Sequence, residues 1–161
     1  MRLVIADTGP INYLIQIGHI ELLPRMFERV ALPSAVQAEL SNSLAPLPVR
    51  RWITAPPAWL EIHDASVLPQ VPGLDGGESA AIALAESLHA DLLLIDERDG
   101  SRVAREKGLR VTGTLGLLDL AAERDLVDFA EAIGKLELTS FRRPEAVLKT
   151  LLAKHKRSEK P

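Results

Sequence analysis

Four acids, Asp7, Glu39, Glu78 and Asp96, stand where a chain of alternating strands and helices would bring carboxylates together. Asp7 directly follows the apolar run Arg2–Ala6, and Asp96 directly follows Asp91–Ile95. Both runs read as short strands, the second so apolar that it suggests burial on both faces. In an open parallel sheet, functional groups collect at the carboxyl ends of the strands. If these two strands are parallel neighbours, both carboxylates leave the same edge. Glu78 opens the Ala- and Leu-rich helix Ser79–Leu88, so a helix N-terminus can carry it to that edge. Glu39 lies near the end of a helix that begins at Pro33-Ser34 and runs through Leu40, beside the apolar positions Val36 and Leu40.

Convergence of these acids is costly without a counter-charge. Two carboxylates ~4 Å apart repel by about 4 kcal/mol at an effective dielectric near 20. Either one takes up a proton or a divalent cation neutralises the cluster. Ligation by oxygen alone, with few protein ligands, suits Mg²⁺ or Mn²⁺. Such an ion can activate a water and steady the charge on a phosphodiester, which is the chemistry of phosphodiester hydrolysis. Each acid also has a local reading. Asp7 before Thr8-Gly9-Pro10 fits a helix cap as well as a ligand. Glu78 after Gly76-Gly77 complements a helix dipole. Asp96 and Asp99 bracket a turn, and Glu39 fits a partly exposed helical residue.

The elements that must position these acids are those of one domain. The chain has 161 residues, 47% hydrophobic and 25% charged, enough to bury one substantial core. There is no cysteine, which excludes a disulfide framework, a thiol nucleophile and a thiolate metal site. No uninterrupted apolar run reaches 18 residues and no secretory leader is visible, so a cytoplasmic protein without a membrane span is expected. The net charge of −3 is uneven. Arg142–Pro161 carries seven Lys/Arg against two acids, a basic tail on an acidic body. Such a tail either touches nucleic acid or is merely solvated.

Besides the segments above, Arg29–Leu32 and Leu109–Val111 read as short strands. Asp99–Lys107, Thr114–Arg124, Asp128–Leu138 and Pro144–Lys156 read as helices, and His19–Phe27 as an amphipathic stretch. The proline-rich segment Ser41–Gly73 reads mainly as loop, with a short helix at Leu47–Ile53 and an extended piece at Trp59–His63. The class is therefore α/β around a central, mostly parallel sheet of four or five short strands. No dinucleotide or P-loop fingerprint occurs, no nucleophile elbow, and no metal-ligand spacing among the four histidines. Arg98, Arg102 and Arg105 share one helical face next to Asp96, which reads either as a weak RNA-phosphate contact or as a solvated charged face with Asp99 and Glu106.

An ordered set of segments resembles the PIN-domain ribonucleases, including VapC-type toxins: Val4-Ile5-Ala6-Asp7-Thr8-Gly9-Pro10, Leu32-Pro33-Ser34-Ala35-Val36-Gln37-Ala38-Glu39-Leu40, Gly76-Gly77-Glu78-Ser79-Ala80-Ala81-Ile82-Ala83-Leu84-Ala85 and Leu93-Leu94-Ile95-Asp96-Glu97. Val111-Thr112-Gly113-Thr114-Leu115-Gly116-Leu117-Leu118 is similar to a PIN-like subgroup of unknown function. The resemblance implies a three-layer α/β/α fold, residues 1–141 as a PIN-like domain, and residues 142–161 as its C-terminal helix and basic tail. It implies a Mg²⁺- or Mn²⁺-dependent endoribonuclease with Asp7, Glu39, Glu78 and Asp96 as catalytic and metal-ligating acids. Glu78 stands where better-known toxins more often carry Asp, Asp99 competes with Asp96 for the fourth place, and Thr8 is a secondary candidate. It further implies an RNA substrate, an antitoxin partner in a type II toxin–antitoxin pair, and a homodimer. Apolar helical positions Ile11, Leu14, Ile17, Leu115, Leu118, Leu136 and Leu138 would supply the dimer surface. The alternative is a PIN-like module that binds RNA or protein with little or no catalysis.

Overall fold

The apolar run after Arg2 forms β1 (Leu3–Ala6), and every one of its side chains is buried. In the computed structural model, which describes residues 2–158, β1 is the middle strand of a five-stranded sheet. The chain continues through α1 (Thr8–Gln16), α2 (Leu22–Met26), β2 (Arg29–Pro33), α3 (Ser34–Leu40), α4 (Leu47–Thr54) and β3 (Leu60–His63). It then crosses to α5 (Gly76–Ser87), β4 (Leu92–Leu94), α6 (Arg98–Glu106) and β5 (Val111–Thr112). The strand order is β3-β2-β1-β4-β5, and all four pairings are parallel. The sheet is thus wholly rather than mostly parallel. The proline-rich excursion supplies its edge strand β3, because no proline interrupts Leu60–His63.

Both faces of the sheet are covered, as parallel sheets require. Leu3, Ile5, Ala31, Leu93 and Ile95 form one core with Ala81, Ile82 and Ala85 of α5 and Ala104 of α6. The alternate residues Val4, Val30, Leu32, Leu92 and Leu94 are buried as well. This is a PIN-like α/β/α architecture. The last strand begins later than the sequence suggests. Gly108, at φ +82°, turns the chain out of α6, and the Leu109 amide bonds back to the Ala104 carbonyl at 3.0 Å. Ladder pairing therefore starts only at Val111, opposite Leu93.

The chain divides into two compact units after Thr114. The second comprises the rest of α7 (Thr114–Glu123), then α8 (Phe129–Leu136) and α9 (Glu145–Ser158). Within it Phe129 is buried and stacks on His155, with ring centroids 4.5 Å apart. Asp119 meets the Lys154 ammonium at 2.8 Å and His155 Nε2 at 2.7 Å, tying α9 to α7. Residues 159–161 of the basic tail lie outside the described residues.

The apolar positions expected to face a second copy are instead used by the chain itself. Ile11, Leu14, Ile17, Leu115, Leu118 and Leu136 are all buried, and only Leu138 stands open, at 88% exposure. Helical periodicity marks a face that must be covered but does not say by what. Among the described residues, no helix is long and apolar enough to cross a membrane.

Candidate functional site

Connectivity creates a crevice between β1 and β4. From β1 the chain winds to β2 and β3 on one side, then crosses to β4 and β5 on the other. Such a reversal leaves an opening at the carboxyl ends of the two central strands. The Asp7 amide donates to the Leu94 carbonyl at 2.9 Å, so β1 stays paired with β4 up to the residue that carries the first carboxylate. Asp96 follows two residues past that carbonyl. Asp7 occupies the N-cap position of α1 without the usual side-chain capping bond, and the amide that favours its charged form is that of Thr8, the first residue of the helix.

Two helices deliver the next acids. Val36 and Leu40 bury the inner face of α3, which packs on α5 and on α1. Thr8 Oγ1 donates to Glu39 Oε2 at 2.8 Å, linking α1 to α3 beside Asp7. Gly77 lies beneath the Glu39 carboxylate: a Cβ built there would overlap both carboxylate oxygens and meet Cδ at 2.7 Å. The absent side chain lets the Gly77 amide reach that carboxylate, at the positive end of α5. Asp75 caps α5 by accepting from the Glu78 amide at 2.8 Å, which brings a further acid alongside Glu78. Asp96 accepts from the Thr114 amide and from Thr114 Oγ1, both at 2.8 Å. On its other side Asp96 Oδ2 would lie 3.2 Å from a Cβ at Gly9.

Burial and mutual repulsion set the charge state of this cluster. Asp7 is 5% exposed, and burial, reinforced by negative Glu39, Glu78 and Asp75, pushes its carboxyl up to about 7 against the Thr8 amide. Glu78, 8% exposed, is likewise pushed up to about 7, first by burial and then by Asp75 and Glu97. Glu39 is raised by burial and by Asp75, while its bonds from Thr8 and Gly77 oppose the shift. Asp7 Oδ1 is buried without a hydrogen-bond partner. A buried carboxylate oxygen in that condition is expensive unless it is protonated or meets a cation. The donor set, oxygen throughout, fits a hard divalent cation at this point. As the side chains stand, no group of three or more His, Asp or Glu among the described residues is arranged to hold a metal ion.

Asp7, Glu39 and Glu78 are thus brought within electrostatic reach of one another, and Asp96 lies against α1 at Gly9. Asp99 is elsewhere: its side chain is 77% exposed and 3.9 Å from Arg102. Arg98, Arg102 and Arg105 are exposed on α6, with Arg102 also 3.3 Å from Glu106. Asp75, Glu97, Gly77 and Thr114 join the site through the fold and not through any site motif in the sequence. The Asp75-x-x-Glu78 spacing is a capping-box signal and could have drawn Asp75 in. No local signal reports that Thr114 reaches Asp96, 18 residues away.

No curated protein matches the chain. Among solved structures, the fold is similar to a PilT N-terminus domain protein from the hyperthermophilic archaeon Sulfolobus solfataricus P2, with a TM-score of 0.51 and 19% identity over 73% of this chain and 90% of that one. At that identity the likeness concerns the fold. The PIN domain family matches residues 3–157, running through both compact units. With that match across nearly its whole length, the chain belongs to the PIN-domain family and has its nuclease-type fold.

Proposed function

We propose that the protein is a metal-dependent endoribonuclease whose site is the acidic crevice between β1 and β4. The observation that supports this most is Asp7 Oδ1, a buried carboxylate oxygen without a partner, with Glu39 and Glu78 close enough to raise its affinity for a proton. Asp7, Glu39, Glu78 and Asp96 would hold Mg²⁺ or Mn²⁺, which when bound supplies an activated water and neutralises charge on the scissile phosphate. Before binding, the Asp7 and Glu78 carboxyls share the excess charge by holding protons near neutral pH. Thr8 orients Glu39 through its hydroxyl. Asp96 rather than Asp99 serves as the fourth acid, since Asp99 turns to solvent and Arg102. Arg98 and Arg105, exposed at the start and end of α6, give phosphates a landing surface.

In this reading the two units act as one PIN-like domain in the cytoplasm. The role of toxin in a type II pair, restrained by an antitoxin, follows from the family resemblance. So does the homodimer, now that the apolar positions first offered for it are buried. A basic antitoxin side chain would enter the acidic crevice by the same electrostatics that favours a cation.

The test incubates purified protein with mixed RNAs, with and without Mg²⁺ or Mn²⁺, beside Asp7→Asn. Metal-dependent cleavage that is lost in the variant is the expected result. A binding module without catalysis is the second reading, carried by Glu78 standing where the better-known toxins more often have Asp and by the long proline-rich excursion. Intact RNA under every metal, with binding retained, would select it.

A further inference from the structure

Asp96 differs from the other acids in how it is held. Its two carboxylate oxygens both accept from one residue: Oδ1 from the Thr114 amide and Oδ2 from Thr114 Oγ1, each at 2.8 Å. A carboxylate gripped through both oxygens cannot turn about its terminal bond without losing both contacts. Thr114 is itself completely buried, so solvent cannot replace the hydroxyl if it is removed. Its amide is among the first of α7, a free donor at the positive end of a helix. On the other side a Cβ at Gly9 would come within 3.2 Å of Asp96 Oδ2, so the glycine leaves that oxygen its space.

We propose that Thr114 is the positioning residue for Asp96, fixing the plane in which this carboxylate faces the crevice. The assignment rests on the reading of that crevice as a divalent-cation site. Thr8 does the corresponding work for Glu39 through a single hydroxyl contact, whereas Thr114 uses amide and hydroxyl together. A valine in its place keeps the shape and the amide but removes the hydroxyl that donates to Oδ2. A serine keeps both contacts. Residues that orient metal ligands from behind commonly change affinity by roughly 10- to 100-fold when removed.

The experiment measures Mn²⁺ binding by calorimetry on the full chain, together with the melting temperature of the metal-free protein. Relative to the parent, Thr114→Val is expected to weaken Mn²⁺ binding by roughly tenfold, and Thr114→Ser to restore it. In an Asp96→Asn background, Thr114→Val should bring no additional loss, which a purely structural role would not produce. Thr114→Ala, which also removes the hydroxyl, replaces the valine variant if that one does not fold. Parent-like affinity in the variant lacking the hydroxyl, or an equal loss in the Asn background, overturns the role of Thr114 while leaving the cation site intact. A parent that binds no Mn²⁺, and is indifferent to Asp7→Asn, overturns both.

Discussion

The carboxylate of Glu39 rests directly on Gly77, in space that any side chain at that position would claim. The obstructed group is the far end of a flexible side chain, so Gly77→Ala should fold. The displaced Glu39 would lose the Gly77 amide and strain its bond from Thr8. The expected outcome is a change in metal-free stability of about 1 kcal/mol or less, with a weakened thermal response to Mn²⁺. Paired melting curves with and without the ion check it.

Asp7→Asn removes the most deeply buried charge of the cluster. At pH 8, where the carboxylate is mostly ionised, the metal-free variant should be more stable than the parent by about 1–2 kcal/mol, or roughly 3–6 °C. Its stabilisation by Mg²⁺ should shrink, because a cation that binds only the folded state raises stability in proportion to its affinity. A less stable Asp7→Asn, with the parent unmoved by metal, would contradict the argument.

The pH dependence follows from the same shifts. Asp7 and Glu78 have folded values of about 7, above their ordinary 3.8 and 4.5. The folded chain therefore holds more protons than the unfolded chain between roughly pH 4 and 7, and these groups lower stability as pH rises through that window. Glu61 acts in the opposite sense. Its bonds from Arg29, at 2.9 and 2.8 Å, pull its carboxyl down to about 2 against the opposing effect of burial, with His63 adding to the pull. That contribution is present above about pH 4.5 and is lost as the pH falls toward 2. Urea unfolding of the metal-free protein should be hardest near pH 5 and easier at pH 8. Added Mg²⁺ should narrow the difference.

In the second unit, Phe129 is 1% exposed and stacked on His155. Phe129→Ala should cost about 3–5 kcal/mol, as expected for removing a buried ring. Hydrogen exchange should show the loss first in the amides of α8 and α9.

The α6 arginines should contribute unequally to RNA binding. Arg102 is engaged by Asp99 at 3.9 Å and Glu106 at 3.3 Å, while among the described residues Arg98 and Arg105 make no such pair. Replacing Arg98 and Arg105 together with Ala should weaken binding uniformly across RNA sequences and flatten its salt dependence by about one to two counter-ions. Arg102→Ala should matter less. Titrations at several salt concentrations distinguish the cases.

Much of this molecule is legible along the chain because it depends on neighbours in sequence. The alternation of apolar runs with helical periodicity identifies a parallel α/β sheet. The place of Asp7 and Asp96 directly after two such runs locates them at its carboxyl edge whatever the details of packing. Other features depend on which segments meet across the fold, and no local propensity encodes that. The β3-β2-β1-β4-β5 order makes the gap between β1 and β4 the crevice. The contact of α3 with α5 sets Glu39 on Gly77. The return of the chain after β5 brings Thr114 to Asp96, while Asp99, three residues on, is turned to solvent by one more step around α6. Burial, which drives Asp7 and Glu78 toward neutrality, is likewise a property of the packed layers. The helical apolar positions make the same point in reverse, since periodicity marks a face to be covered and only packing reveals that the chain covers all of them but Leu138 itself.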